Sequence, residues 1–109
     1  MDVVLVRHGS TSWSGRRYCG RSDTPLSAAG VQEAELAARR LAPTLSATAR
    51  IVSSPSRRAV ATAEAIARAT GGRSVEQDPR WLETDFGEAE GLLFDELAER
   101  FPELATLVL

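Results

Sequence analysis

The sequence predicts an α/β domain built on a parallel sheet. Apolar runs and helical stripes alternate along the chain as strand, helix, strand, helix, strand, the order of βαβ units. The first run, Val3-Val4-Leu5-Val6, is continuous rather than alternating, as in strands buried on both faces. Each later helix opens on a start signal: Ser27 before the first, Ser54-Pro55 before the second.

Taken in order, residues 2–6 form the expected first strand. Residues 10–25, rich in Ser, Thr, Gly and Arg, lack a period and read as loop. Ser27 offers an N-cap oxygen for a helix to about Leu45, with Val31, Ala34, Ala38, Leu41 and Leu45 on one face. Residues 50–53 make a short second strand. Ser54 as cap and Pro55 at the first helical position then start a helix to about Thr70. Val60, Ala63, Ile66 and Ala67 form its inner face, and Gly71-Gly72 ends it. Residues 74–76 are a weaker third strand, 79–91 a loop, and 92–100 a short helix before Pro102. There is no repeat, linker or low-complexity segment. The last six residues, Leu104 to Leu109, are almost wholly apolar, which suggests a domain that continues further.

The 109 residues suffice for one domain with a modest core. A net charge of −2 gives no general pull toward nucleic acid or anionic membrane. All 13 basic residues are arginines, a pattern that coding bias explains better than phosphate recognition. Cys19 is the only cysteine, so no internal disulfide forms and a reducing compartment fits. No apolar run reaches membrane-spanning length and no secretory leader is evident, so the cytoplasm is the expected location. One His and one Cys cannot assemble a zinc site, and the scattered acidic residues suggest no metal cage; no cofactor is expected.

Chemistry concentrates at the expected strand ends, where ligands of open α/β sheets gather. Arg7-His8-Gly9 follows the first strand and holds the only histidine. A neutral imidazole can attack phosphorus, a guanidinium can hold phosphate oxygens in pairs, and Gly admits close backbone approach. The plainer alternative is a surface histidine in a βα loop. After the second strand, Ser53-Ser54-Pro55-Ser56-Arg57-Arg58-Ala59 puts two arginines in the first turn of a helix, against its dipole. Such a cost is often kept for anion binding, although an exposed arginine pair is an equal reading. Trp81-Leu82-Glu83-Thr84-Asp85-Phe86-Gly87 supplies carboxylates that could protonate a leaving alkoxide or simply be solvated.

The chain resembles the histidine phosphatase superfamily, the phosphoglycerate-mutase-like proteins. The resemblance rests on Leu5-Val6-Arg7-His8-Gly9, on Asp23-Thr24-Pro25-Leu26-Ser27 with Gly30, and on Ser53-Ser54-Pro55 through Arg58-Ala59 with Thr62-Ala63-Glu64. It is completed by Leu82-Glu83 and Phe86-Gly87 to Glu90-Gly91. These motifs come in the family's order and spacing and cover nearly the whole chain. The stretch Tyr18-Cys19-Gly20-Arg21-Ser22-Asp23 is similar to the α-ribazole phosphatase branch.

The resemblance implies a three-layer α/β/α fold with a mainly parallel sheet, here truncated, with residues 1–109 as the N-terminal part of one domain. It implies His8 as nucleophile, Arg7 and Arg58 with Gly9 as the phosphate site, and Glu83 as proton donor. Ser10, Thr11, Tyr18, Cys19 and Gly20 fall in the substrate loop. Ser10 stands where Glu is frequent and Ala89 where an aromatic is frequent, which bears on the substrate. The family's second active-site histidine has no counterpart, since His8 is alone. In the family that histidine lies on a later strand, which the sheet places beside the first.

The expected function is therefore metal-independent phosphomonoester hydrolysis through phosphohistidine on a small phosphorylated metabolite, with α-ribazole phosphate a candidate. The rivals are a mutase-type phosphoryl transfer and a non-catalytic phosphate-binding fragment. A Ser-His acyl hydrolase lacks its Gly-x-Ser-x-Gly elbow. No nucleic-acid or membrane partner is expected, and a homodimer is kept open.

Overall fold

A computed structural model describes residues 3–17, 19–83, 90–91, 93 and 99. The described residues divide into two compact units. The first comprises the N-terminal segment to Ser12 with Asp23–Leu82; the second comprises Trp13–Ser22 with the residues from Glu83 onward.

The first unit is α/β, with two helices and a two-stranded parallel sheet. Helix α1 spans Ala28–Leu41, strand β1 Ile51–Ser53, helix α2 Arg57–Ala69 and strand β2 Val75–Gln77, followed by a 3-10 turn at Pro79–Trp81. Ile51 pairs with Val75 and Ser53 with Gln77. Asp78 N–H extends the pairing to the Ser53 carbonyl at 2.9 Å. The β1–α2–β2 unit is thus the parallel crossover that the alternating sequence predicts.

Small residues let the helices pack closely. Ala34 and Ala38 of α1 meet Ala65 and Ile66 of α2, and Leu26, Leu41, Leu45 and Ile51 pack around them. Val31, expected in this stripe, is exposed. In α2 the buried face is Arg58, Thr62, Ala63, Ala65, Ile66 and Ala67, so Val60 is only partly covered.

Three boundaries differ from expectation. Helix α1 ends at Leu41 rather than near Leu45, because Pro43 has no N–H and its ring opposes further helix. Leu45 still reaches the core, its amide bonded to the Leu41 carbonyl at 3.1 Å. Helix α2 starts at Arg57, two residues later than Ser54-Pro55 predicts. The Ser54 hydroxyl accepts the Ser56 amide at 3.2 Å in a tight turn, which moves the N-cap to Ser56. Its end agrees: Gly71 and Gly72 have φ of 97° and 75°, and Gly72 N–H returns to the Ala67 carbonyl at 2.8 Å.

The third difference is the first strand. Residues 3–6 carry no ladder among the described residues, and their side chains are 42–79% exposed. A β-propensive run becomes a strand only where a neighbour supplies hydrogen-bond partners, and β1 and β2 pair with each other instead. The helix expected at 92–100 lies outside the described residues apart from Leu93 and Glu99. Among the described residues, no helix is long and apolar enough to cross a membrane.

Candidate active site

The Arg7-His8-Gly9-Ser10 segment is anchored on both helices. Gly9 N–H donates to Thr62 Oγ1 at 3.1 Å, and that hydroxyl donates to the Arg58 carbonyl at 2.8 Å, one turn back along α2. A single threonine therefore ties the histidine loop to the first turn of the arginine helix. Beside α1, the Ser10 carbonyl accepts from Ser27 N–H at 2.9 Å and Ser27 Oγ at 3.1 Å. The Glu33 carboxylate accepts Ser10 N–H at 2.8 Å and Ser10 Oγ at 3.1 Å. These Ser10 bonds, side chain first and backbone second, outweigh desolvation and hold the Glu33 carboxyl below its ordinary value.

Two glycines make this approach possible. A Cβ on Gly30 would overlap the Ser10 carbonyl oxygen, and one on Gly9 would overlap the Gly30 carbonyl oxygen. The loop backbone lies directly on the first turn of α1, where only glycine leaves room.

His8 is half-buried, with Nδ1 at 2.7 Å from the Gly9 carbonyl oxygen. A carbonyl can only accept, so Nδ1 carries a proton in this contact and Nε2 is the ring nitrogen that faces away from it.

At α2 the two arginines part. Arg57 is exposed, whereas Arg58 is 2% exposed. The N-cap Ser56 makes no side-chain capping bond; instead Asp23 Oδ1, remote in sequence, accepts Arg57 N–H at 2.7 Å. The carboxylate satisfies a free amide and offsets the positive charge crowded at this helix end.

Arg7 is exposed, and Thr11 is buried and bridged antiparallel to Leu26. These residues, with His8, Gly9, Ser10 and Arg58, belong to the first unit. Cys19, Gly20 and Glu83 belong to the second. There Cys19 Sγ lies 3.8 Å from the Ser22 carbonyl, Gly20 is buried and Glu83 is exposed. Tyr18 lies outside the described residues.

Several residues that build the site have no signature of their own in the sequence. Thr62, Asp23 and Gly30 sit within the family motifs, yet a hydroxyl in mid-helix or a carboxylate in a loop has no periodic signature. The available signal was Thr62 lying four residues after Arg58, on the same helical face.

An imidazole held on backbone contacts beside a helix start that buries a guanidinium sits in an α/β unit with a parallel sheet. The chain belongs to the histidine phosphatase superfamily (branch 1), whose family pattern matches residues 3–107. Members of this superfamily are phosphatases or mutases. Phosphoglycerate mutase-like protein 4 of Arabidopsis thaliana is 36% identical over 103 residues, 94% of this chain and 44% of that protein. The mycobacterial glucosyl-3-phosphoglycerate phosphatase Rv2419c, solved with VO3, superposes with a TM-score of 0.84 at 35% identity, over 92% of this chain and 47% of that one. A candidate α-ribazole-5′-P phosphatase from Escherichia coli superposes with a TM-score of 0.78 at 26% identity, over 93% and 50%. The chain spans less than half the length of the curated relatives it matches, 28% to 45% of them.

Proposed function

We propose that this chain supplies the nucleophile and part of the phosphate clamp of a metal-independent phosphomonoesterase. The observation that carries the reading is the His8 tautomer: Nδ1 held on the Gly9 carbonyl leaves Nε2 free to attack. Arg58, buried at the start of α2, and Arg7 are assigned to the phosphate oxygens. Nε2 forms a bond to phosphorus as the bond to the ester oxygen breaks. Glu83 gives its proton to the departing alkoxide, and water then cleaves phosphohistidine to inorganic phosphate, restoring His8. Charge stabilisation by fixed donors does most of the work in such transfers.

The substrate class is a small phosphorylated metabolite, and the Tyr18–Asp23 stretch supports α-ribazole phosphate as one candidate. The match to a phosphoglycerate-mutase-like relative supports a second reading, return of the phosphoryl group to another hydroxyl. Product analysis of the full-length natural polypeptide separates the two. Incubation with 3-phosphoglycerate and with α-ribazole phosphate in EDTA should release inorganic phosphate without isomer, and His8→Ala should abolish the release. Isomer without phosphate would establish the mutase reading. Phosphate binding without turnover would establish a non-catalytic one.

A further inference from the structure

The second unit contains a carboxylate to which the proposed function gives no task. Glu90 accepts the Gly20 amide on both oxygens, at 2.9 and 3.0 Å, and the Ser22 amide at 3.1 Å. Burial pushes the Glu90 carboxyl up, but its bonds with Ser22 and with the amides of Gly20 and Arg21 outweigh this and hold it below its ordinary value. Amides converging on one anion form a nest, a backbone concavity suited to binding a negative charge. The chain fills this one with its own side chain.

Glu90 is itself held from the other side. Gly91 takes the left-handed φ of 79°, Arg17 Nη1 donates to its carbonyl at 2.6 Å, and Arg17 bridges antiparallel to Leu93. The carboxylate is therefore a fixed post around which residues 20–22 wrap. In the middle of that wrap stands Arg21, whose Nε donates to the Glu83 carbonyl at 3.4 Å. A continuous path runs from the Glu90 carboxylate through the amide nest to Arg21 and on to the backbone of Glu83.

We infer that Glu90 is a positioning residue for the proton donor: its carboxylate sets the 20–22 loop, and Arg21 of that loop holds the backbone from which the Glu83 side chain projects. This rests on the reading of Glu83 as proton donor. Glu90 itself touches no reacting atom, so its effect should follow the leaving group's need for a proton rather than phosphate binding.

The test compares kcat/KM for p-nitrophenyl phosphate, whose leaving group departs without a proton, and for glycerol 2-phosphate, whose alkoxide needs one. Measured in the full-length natural polypeptide, Glu90→Ala should lose about tenfold on glycerol 2-phosphate, the scale of one charge-assisted hydrogen bond. It should change little on p-nitrophenyl phosphate. Glu90→Gln keeps one acceptor oxygen and should fall between wild type and Ala. Arg21→Ala cuts the path at an exposed side chain and should reproduce the same selectivity, so the inference stays testable if Glu90→Ala fails to fold. Equal losses on both substrates, or none, in the Arg21 variant would overturn it. Glu83→Gln separates the two ideas. If it shows no leaving-group selectivity, the proton-donor reading falls and the inference with it. If it does while the Glu90 and Arg21 variants do not, only the positioning role falls.

Discussion

Arg57 and Arg58 are neighbours in sequence and opposites in environment, one in solvent and one buried. A guanidinium is kept buried only where acceptors satisfy it, and a dianionic phosphate is a strong bidentate acceptor. Arg58→Ala should lower kcat/KM by two orders of magnitude or more, whereas Arg57→Ala should cost less than about threefold. The reversed ranking in steady-state kinetics would mean that the clamp has been assigned one residue out of place. Thr62 is a second residue-scale test. Thr62→Val keeps the shape but leaves the Gly9 amide without its acceptor, at a cost of about 1–3 kcal/mol in denaturant unfolding, which Thr62→Ser should largely avoid. His8 stands out in the sequence as the single imidazole after an apolar run, and the choice of Arg58 over Arg57 comes from the resemblance to the family motif rather than from the residues alone. Thr62 was not, because a threonine inside a helix looks like any half-polar residue until its partner is known.

Among the elements, helix caps and turn residues decided what could be read. Ser27 does cap α1, its hydroxyl accepting Gly30 N–H at 3.1 Å, and Gly71-Gly72 does end α2, since both signals act within a few residues. The start of α2 is not legible from its local sequence, because the carboxylate that accepts its first amide, Asp23, lies 34 residues away. Asp23→Ala should therefore destabilise by about 0.5–2 kcal/mol, the usual cost of a lost cap, and Asp23→Asn by much less. Thermal unfolding of the two variants checks the ranking. The Glu33–Ser10 contact adds a pH signature. A carboxyl with a lowered native value contributes stability above the ordinary glutamate range and loses it as pH falls through that lowered value. The stability advantage of wild type over Glu33→Gln, whose amide has no proton to gain, should therefore shrink as pH falls through that lowered value; a difference independent of pH would remove Glu33 from the account.

For the whole molecule, the α/β class followed from the order of elements, and the parallel β1–α2–β2 crossover appears as expected. The segment at residues 3–6 did not become a strand, because propensity alone provides no ladder. Its four exposed apolar side chains should make the 109-residue chain self-associate and bind ANS, an outcome that a clean monomer with no dye binding would refute. The central claim concerns one atom, Nε2 of His8, and it can be tested directly. The full-length natural polypeptide should be quenched during turnover of a phosphomonoester and the phosphorylated residue examined by 31P–15N NMR. The account predicts an acid-labile, base-stable phosphoryl group on Nε2 of His8, absent in His8→Ala. A phosphoryl group on Nδ1, on another residue, or surviving His8→Ala would contradict it.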